Sequence, residues 1–324
     1  MTRAFHWIAA AAAMLAPWFT TAVDAQNYPA RPIRLIVPFP AGGAGDVLAR
    51  IIGQKMQENW GQTVLVDNRP GGNTIIASEV VAKASADGYT ILSCWETVAI
   101  NPTLYSKLPY DQQRDFAPVT LTASLPLVLM ANNALPAKSV RDLIVLAKAK
   151  PNQLNFASFG TGSSSHLAGE LFKSMAGVQM VHVPYKGAPP AITDLVAGQV
   201  QIFFSGLPPG LPFVKDGKAK GLAVTSSKRA PLLPDVPTMQ EAGLAGYEAI
   251  SWSGMMVPAA TPKEIVARLH AEFTRILTLP DVRERLAVLG FDAITSTPEQ
   301  FAAYLQTESE KWGKVAKESG AKLD

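Results

Sequence analysis

The chain alternates short apolar runs with longer stretches in which apolar residues recur every three or four positions. The first pattern predicts buried β-strands and the second predicts amphipathic α-helices. Because the two patterns alternate over most of the chain, they indicate an α/β fold with largely parallel sheets. The predicted strands cover residues 33–39, 63–67, 90–93, 118–123, 127–131, 154–158, 181–184, 200–205 and 222–225.

The predicted helices lie between these strands until the C-terminal part, where helices follow one another with little strand between them. Ser139 followed by Asp142 is a variant of the capping box, so a helix is expected to begin there. The predicted helices cover residues 47–59, 75–84, 140–148, 167–176 and 191–197, and in the C-terminal part 262–277, 281–289 and 299–319.

The first 25 residues have the pattern of a signal peptide. Arg3 precedes an alanine-rich apolar run, and Val23-Asp24-Ala25 is a small-residue cleavage pattern, so we expect cleavage after Ala25. The run breaks at Pro17 after about ten residues, about half the length that a bilayer crossing needs. A secreted, soluble protein is expected, with an uncleaved anchor as the alternative. The remaining length suits about two domains of roughly 150 residues each.

Composition narrows the possible partners. The formal net charge is +3, with acidic and basic residues interspersed, which argues against a nucleic-acid partner and is compatible with a small anion. Cys94 is the single cysteine, so no intrachain disulfide can form. Four histidines without a Cys or His pair at ligand spacing argue against a metal site, and no cofactor is expected.

A strand that runs into a glycine- or serine-rich turn and then a helix occurs twice, at FPAGGAGD and at ASFGTGSSSH. Without Cβ atoms, the N–H groups of Gly42, Gly43 and Gly45 can approach a ligand closely, and a helix N-terminus leaves its first N–H groups unpaired. The second turn adds serine and threonine hydroxyls. Two such turns predict two similar lobes whose cleft holds one or two carboxylates. Alternatively, each glycine only shapes a turn.

Other chemistries fit these turns less well. Neither turn matches G-x-G-x-x-G, and G-x-x-x-x-G-K-[ST] is absent, which disfavours a nucleotide site. Ser164, Ser165 and His166 leave a secreted serine hydrolase as an alternative, although the G-x-S-x-G elbow is absent. His166 is expected to donate to a ligand oxygen or to a loop carbonyl. Asp46 is expected to satisfy backbone donors in the first helical turn, and His182 to lie in a core.

From about Tyr28 to the C-terminus, the chain resembles the Bug family (UPF0065) of periplasmic solute-binding proteins that serve tripartite tricarboxylate transporters. Each matching stretch alone is a weak signal, but the occurrence of all of them in the same order over nearly the whole mature chain is specific. The matching stretches are YPARPIRLIVPFPAGGAGDVLAR, VDNRPGGN, DGYTIL, AINPTLY, LPYD, DFAPVTL, FASFGTGSSSHLAGELFKSMAG, VHVPYKGAPPAITDLVAGQV, LAVTSSKRAPLLPDVPT and STPEQFAAYL.

The resemblance implies a two-lobed periplasmic-binding-protein fold of a type II-like kind. Each lobe would be a mostly parallel sheet flanked by helices, and two crossover segments near residues 122–126 and 248–253 would join the lobes. Residues 26–124 and 251–324 would form the first lobe, and residues 125–250 the second. The lobes would close over a small carboxylate.

The resemblance also implies which residues bind the ligand. The two turns would grip one carboxylate, partly through ordered water, while other positions would line the walls. The implied ligand-binding residues are Phe39, Ala41, Gly42, Gly43, Asp46, Trp95, Thr97, Asn101, Phe159, Thr161, Gly162, Ser163, Ser164, Ser165, His166, Tyr185, Lys186, Gly187 and Ser205.

Departures from the family concern the far end of the ligand. Relatives tend to have small residues near Trp95 and Phe159, so an aromatic or chlorinated unsaturated carboxylate is one expectation, with packing as the alternative role of Trp95. Many relatives carry an acid where this chain has Ser205, which weakens the case for a ligand with an ammonium group. Glu96 would repel an anion unless it points to solvent or binds a ligand hydroxyl or amine.

The implied function is that of a monomeric periplasmic receptor, not an enzyme. It would capture a small organic carboxylate and deliver it to the membrane subunits of a tripartite tricarboxylate transporter. A protein that reports its liganded state to a membrane receptor would have the same fold and pocket, and it stays open as an alternative.

Overall fold

A computed structural model describes residues 27–323, so the predicted signal peptide and its cleavage site lie outside the described residues. Strands and helices alternate as the pattern predicts, which confirms the α/β class. The strands are β1 (Ile33–Val37), β2 (Val64–Asn68), β3 (Thr90–Trp95), β4 (Phe116–Ala131), β5 (Asn155–Ser158), β6 (Val181–Pro184), β7 (Ile202–Gly206), β8 (Lys220–Val224), β9 (Ile250–Pro258) and β10 (Asp292–Ala293). The helices are α1 (Ala44–Trp60), α2 (Ile75–Ala82), α3 (Thr97–Leu104), α4 (Val140–Ala149), α5 (Ser164–Ala176), α6 (Ala188–Ala197), α7 (Leu207–Lys215), α8 (Lys263–Thr278), α9 (Pro280–Val288) and α10 (Pro298–Ser319), with a 3₁₀ turn at Gly72–Thr74.

The strands are ordered β2-β1-β3-β9-β4-β7-β5-β6, and β8 and β10 also pair with β4. Strand β4 changes partners along its length. Its residues 116–126 pair with β9, whereas Leu127 to Ala131 pair with β7 and β8. We call β1, β2, β3, β9, β10 and the first part of β4 the first half-sheet. The second half-sheet contains β5 to β8 and the rest of β4.

Both half-sheets are mixed. Strand β1 is parallel to β2 and β3, and β5 is parallel to β6 and β7. Strands β4 and β9 pair antiparallel with each other, since the chain leaves the first half-sheet along β4 and comes back to it along β9. Strand β9 is also antiparallel to β3, and β4 to β7. The outer strands are therefore parallel as expected, and the central ones are not.

The long central strands differ from the sequence-based expectation. The predicted strands 118–123 and 127–131 are parts of the single strand β4, and β9 was not predicted. The two predicted crossover segments lie side by side, since Leu125 is opposite Ser251 and Pro126 is opposite Ile250. Helices α3 and α7 were also missed. The lobe boundaries at residues 124–125 and 250–251 stay a prediction.

Amphipathic helices cover the half-sheets. In α1, Leu48, Ile52 and Met56 are fully buried against the first half-sheet, where each buried side chain contributes about 1.5–3 kcal/mol. Helix α10 spans both halves, because its Phe301 packs in a core of the first and its Trp312 packs in a core of the second. Between residues 27 and 323, no helix has both the length and the apolar character that a bilayer crossing needs.

Candidate functional site

A cleft of ≈ 1040 Å³ lies between the turns at the carboxyl ends of β1, β3 and β5. Both glycine- or serine-rich turns contribute to its wall, as the sequence predicts for a shared cleft. The predicted ligand-binding residues on the wall are Phe39, Gly43, Trp95, Thr97, Phe159, Ser163, Ser164 and Lys186. Those that lie behind or beside the wall are Ala41, Gly42, Asp46, Asn101, Thr161, Gly162, Ser165, His166, Tyr185, Gly187 and Ser205.

The two turns have the same backbone design. Gly42 (φ 82°) and Gly162 (φ 78°) occupy equivalent left-handed positions, which glycine adopts with little strain. The following residues, Gly43 and Ser163, are extended N-caps of α1 and α5. Each cap N–H donates a 3.2 Å hydrogen bond to the carbonyl oxygen three residues earlier, so both chains enter their helices in the same way.

The third residue of each helix holds its turn from behind. The Asp46 carboxylate accepts a 2.8 Å hydrogen bond from the Gly42 N–H, and His166 Nδ1 accepts one of 3.2 Å from the Gly162 N–H. Asp46 also accepts hydrogen bonds of 2.9 Å from Arg50 and Asn68. Both side chains therefore shape the turns. For His166 this differs from the expected donation to a ligand or a carbonyl.

The charge states follow from these partners. Burial acts to raise the pKa of Asp46, but the hydrogen bonds from Arg50, Gly42 and Asn68 outweigh it and lower the pKa to about 2. Burial, His182 and Lys173 lower the pKa of His166 to about 3. His166 is therefore neutral at pH 7, which leaves Nδ1 free to accept the Gly162 N–H.

The helix N-termini supply anion-binding donors at the wall. Ala44 and Gly45 of α1 and Ser164 of α5 line the cleft. The first N–H groups of a helix lack intrahelical acceptors, and each helix dipole stabilises a nearby anion by about 0.3–1 kcal/mol. The Ser164 hydroxyl is buried and makes no hydrogen bond within the described residues. A carboxylate between the two helix ends would satisfy these donors.

Aromatic side chains form one side of the cleft. Trp95 packs edge-to-face on Phe39, with ring centroids 5.1 Å apart, and on Phe291. A Cβ atom on Gly45 would lie 2.5 Å from the Phe39 ring, so glycine is needed where this ring crosses α1. The Trp95 Nε1–H is buried and lacks an acceptor among residues 27–323.

Glu96 is the acid on the cleft wall, and it is only 5 % exposed. Its Oε2 accepts hydrogen bonds from the Ser251 hydroxyl (2.8 Å) and the Trp252 N–H (3.3 Å). Burial raises the pKa of Glu96, while Ser251, Ser164 and the Trp252 N–H act to lower it. The Ser164 hydroxyl is close enough for this effect without reaching hydrogen-bond geometry.

The sequence reasoning missed the segment Pro70 to Thr74, which lines the cleft. Gly71, Gly72, Asn73 and Thr74 all have positive φ, which the two glycines adopt with little strain but which is strained for Thr74, and such strain is typical of functional loops. Its clue in the sequence was the dipeptide Gly71-Gly72 between Pro70 and Asn73. A positive φ is costly for threonine, so surrounding contacts must hold this segment.

Two of the predicted ligand-binding residues support this strained segment. Asn101 is fully buried; its Nδ2 donates to the Asn73 carbonyl oxygen (2.8 Å), and its Oδ1 accepts from Asn73 Nδ2 (2.7 Å). The hydroxyls of Thr74 and Thr97 are hydrogen-bonded at 2.7 Å. Asn101 therefore positions Asn73 from behind the wall, and Thr97 both lines the cleft and holds Thr74 in place.

The remaining predicted residues are divided between wall and support. Lys186 is exposed and lines the cleft, which places a cation at the wall. The Tyr185 hydroxyl donates to Asp194 at 2.7 Å, and burial together with Asp194 raises the pKa of Tyr185 to about 12. Ser205 is fully buried and its hydroxyl donates to the Gly206 carbonyl oxygen. The wall residue at this point is Gly206 and not the predicted Ser205.

A serine nucleophile is not assembled here. The Ser165 hydroxyl donates to the Phe204 carbonyl oxygen at 2.6 Å, and His166 Nδ1 is occupied by the Gly162 N–H. The Ser164 hydroxyl has no partner within the described residues. Between residues 27 and 323, no group of three His, Cys, Asp or Glu side chains is arranged to hold a metal ion.

Comparison with known proteins gives the family. The family model described as "Tripartite tricarboxylate transporter family receptor" matches residues 48–321. The chain belongs to this family. The receptor is 42 % identical over 297 residues to a UPF0065 protein encoded in the tcbD-tcbE intergenic region of Pseudomonas sp. (strain P51), which covers 91 % of this chain and 88 % of that one.

Solved structures agree with this assignment. The receptor is similar to the R. palustris protein Rpa4515, solved with adipate, at 38 % identity and a TM-score of 0.81, covering 90 % of this chain and 98 % of that one. It is also similar to the periplasmic binding protein BugD, at 34 % identity and a TM-score of 0.78, covering 92 % and 100 %. The resemblance to the Bug family and the two-lobed binding-protein fold are confirmed, and the receptor is not an enzyme.

Proposed function

We propose that the receptor captures a small organic carboxylate between its two half-sheets, in the periplasm, and delivers it to the membrane subunits of a tripartite tricarboxylate transporter. The observation that carries this proposal is the pair of matching turns, which bring the N-termini of α1 and α5 to one cleft. The adipate in the similar R. palustris protein supports the ligand class. We further propose a monomer that is secreted with cleavage after Ala25.

Carboxylate recognition by neutral donors has physical support in the unpaired groups of the cleft. The Ser164 hydroxyl and the helix N–H groups need acceptors, and a carboxylate offers two oxygens with about four lone-pair sites. Lys186 adds positive charge at the wall. A neutral amide would satisfy fewer of these donors and would gain nothing from the helix dipoles.

Titration calorimetry of the mature chain tests the proposal. Succinate, adipate, citrate, benzoate, a chlorinated muconate and aspartate are the probes, and the diamide of adipate is the uncharged control. We expect at least one carboxylate to bind and the diamide to bind at least about tenfold more weakly, since hydrogen bonds to charged groups contribute roughly 1.5–3 kcal/mol. Absence of heat for every carboxylate would refute the proposal.

A variant of the first turn adds a structural control. Gly43 has a φ of −73°, so valine can adopt this backbone conformation. A Cβ atom there would lie 3.2 Å from the Pro40 carbonyl oxygen, which requires a small shift. We expect Gly43→Val to fold and to lose carboxylate binding, because its side chain fills the approach to the α1 N-terminus. A folded variant with unchanged affinity would place the carboxylate elsewhere.

Delivery to a transporter and signalling to a membrane receptor can be separated by the bound partner. Crosslinking of the liganded protein in membranes of its host should recover the transporter subunits. Recovery of a membrane kinase alone would favour the signalling alternative. Nothing in the cleft distinguishes the two, because both need the same ligand-dependent closure.

A further inference from the structure

A second cavity, of ≈ 520 Å³, lies behind the strands that join the two half-sheets. In the joining part of β4 and β9, Leu125 is opposite Ser251, and both line the cleft. The next pair, Ser124 opposite Trp252, lines the second cavity instead. Successive side chains of a strand point to opposite faces, so this cavity lies on the face of the joining strands that is turned away from the cleft. We call it the back pocket.

The walls of the back pocket come from both halves of the molecule. Ser124 and Trp252 lie on strands of the first half-sheet, and Thr307 of α10 faces the same space. Leu171 lines another side of the pocket. It lies on α5 and packs against the core that contains Phe156 of β5, so its position follows the second half-sheet.

Helix α10 is fixed to the first half-sheet by directional and apolar contacts. Glu308 Oε2 accepts a 2.9 Å hydrogen bond from Trp252 Nε1 of β9. Phe301 is fully buried in the core cluster of the first half-sheet that also contains Trp252, and the two rings pack edge-to-face with centroids 5.8 Å apart. Helix α10 and the strands of the first half-sheet therefore move as one unit.

The attachment of α10 to the second half-sheet can shift. Trp312 packs there against apolar side chains, and apolar contacts have no fixed direction. Ser174 of α5 donates a 2.9 Å hydrogen bond to Glu318 between exposed side chains, where water can replace either partner. Packed helices slide past each other in this way in shear motions. When the second half-sheet rotates, Leu171 therefore moves relative to α10.

The cleft and the back pocket must change size in opposite directions. They lie on opposite faces of the joining strands, and each is bounded by both halves of the molecule. A rotation about these strands that brings the two glycine- or serine-rich turns together moves Leu171 away from α10. Closing of the cleft thus widens the back pocket, and narrowing of the back pocket opens the cleft.

We propose that the back pocket controls closure of the cleft, so that a group that fills it holds the half-sheets in the closed orientation. A receptor whose binding-competent state is only partly populated binds its ligand more weakly by that fraction. Filling the back pocket removes this penalty and raises the affinity for the ligand. The change of shape is independent of what the cleft binds, whereas the gain in carboxylate affinity rests on the proposed function.

Two variants fill the back pocket from different sides. Thr307→Phe adds a ring at the exposed edge of the pocket and loses only a hydrogen bond to the Ala303 carbonyl oxygen of the same helix. Ser124→Phe adds a ring on a strand, where aromatic residues are favoured. Ala303→Phe is the matched control, because Ala303 is exposed on α10 and does not line the pocket.

Small-angle X-ray scattering of the mature proteins without ligand measures the closure directly. We expect a smaller radius of gyration for Thr307→Phe and Ser124→Phe than for the unsubstituted protein, and no change for Ala303→Phe. Titration calorimetry with adipate and the other carboxylates of the panel above then measures the affinity. Both pocket-filling variants should bind at least about threefold more tightly, because more of the protein is already closed, and the control should bind as the unsubstituted protein does.

The outcomes distinguish this inference from the proposed function. Unchanged radii of gyration in both pocket-filling variants, with circular dichroism and melting temperatures showing that they are folded, refute the role of the back pocket. Smaller radii without a gain in affinity, for a carboxylate that the unsubstituted protein binds, refute its coupling to the cleft, and the proposed function stands. If the unsubstituted protein binds no carboxylate, the proposed function fails, and the radii alone decide this inference.

Discussion

His166 and His182 stack their rings with centroids 3.9 Å apart, and the Phe156 ring stacks against both, at 4.9 Å from His182 and 6.4 Å from His166. His182 Nε2 is also hydrogen-bonded to the Ser158 hydroxyl at 2.7 Å. Burial, together with Lys173, lowers the pKa of His182 to about 4, and the same causes with His182 added lower the pKa of His166 to about 3. The folded protein therefore keeps two neutral imidazoles behind the second turn.

This pair makes stability depend on pH in a defined direction. Both folded pKa values lie below the value of about 6.5 in an unfolded chain, so the unfolded state binds more protons at acid pH. The contribution is complete above pH 6.5 and is lost as the pH falls towards 4 and then 3. We expect the free energy of unfolding to fall by up to about 1.4 kcal/mol per pH unit for each histidine over this range.

Urea unfolding between pH 7.5 and 4 provides the measurement, with His182→Gln as the comparison. The free energy of unfolding of the variant should depend less steeply on pH, by the contribution of one histidine. If the two proteins show the same dependence on pH, His182 has the same pKa in the folded and unfolded states and the prediction is wrong. Carboxylate affinity should not weaken through His166 in this range, because its folded-state pKa of about 3 keeps Nδ1 neutral and able to accept the Gly162 N–H.

At the residue scale, the sequence predicted roles that depend on local helix geometry better than it predicted contacts between side chains that are distant in sequence. The first-turn role of Asp46 followed from its position three residues after the N-cap, because local helix geometry dictates it. The supporting role of Asn101 could not be predicted, since its partner Asn73 lies in a strained loop 28 residues away. Such a contact depends on tertiary packing and leaves no periodic pattern in the sequence.

At the element scale, the turn before α1 offers a test with a matched control. Gly42 and Gly61 have similar left-handed φ values, 82° and 66°, and an added Cβ would meet no atom within 4 Å at either position. Alanine at either site costs about 1–2 kcal/mol of backbone strain. Gly42 shapes the cleft turn, whereas Gly61 only ends α1.

We expect Gly42→Ala and Gly61→Ala to destabilise the protein equally, by about 1–2 kcal/mol, in urea unfolding. Only Gly42→Ala should weaken carboxylate binding in calorimetry, because the relaxed turn misplaces the α1 N–H donors. Equal affinities for the two variants would mean that the turn geometry does not control binding.

The elements that sequence patterns missed share a physical cause. Helix α7 contains Pro208, Pro209 and Pro212, and α3 contains Pro102, residues that normally mark breaks. In α7, two of these prolines fall in the first turn, where their missing N–H groups have no helical partner to lose. Strand β9 has Gly254 at its centre because a Cβ atom there would collide with the Phe301 ring of α10. Long-range packing thus overrides the local signal.

At the scale of the whole molecule, α10 connects the two cores through a buried carboxylate. Glu308 accepts hydrogen bonds from Trp252 Nε1 of β9 (2.9 Å) and from Trp312 Nε1 (2.8 Å). Both indoles are almost fully buried. Lys311 completes the arrangement as an ion-pair partner at 3.1 Å.

Glu308→Ala should therefore destabilise the whole protein. Two buried indole N–H groups would lose their acceptor, at a cost of about 1–3 kcal/mol each, so we expect a loss of about 2–5 kcal/mol in urea unfolding. Glu310→Ala, at an exposed position of the same helix, should change stability by less than about 0.5 kcal/mol. A small effect of Glu308→Ala would mean that water replaces the carboxylate.

The order of the strands in the sheet could not be predicted from the sequence for a related reason. Strand β4 and its partner β9 are separated by most of the second half-sheet in sequence, and only their pairing shows that residues 122–126 and 248–253 run together. Alternating patterns indicate that strands exist, but they carry no information about which distant strands meet. The number of lobes could be inferred from the repeated turn, while the route between them could not.

Strand β4 passes unbroken from the first half-sheet into the second, and β9 is paired with it as far as Pro126, which has a mechanical consequence. A hydrogen-bonded two-stranded ribbon bends and twists elastically, in contrast to a loose tether that swivels freely. Any change in the angle between the halves must be stored as torsion in this ribbon, reinforced by the 2.7 Å hydrogen bond between the buried hydroxyls of Thr122 and Ser253. The protein would then have one preferred angle between its half-sheets, and it would return to that angle each time the ligand is released.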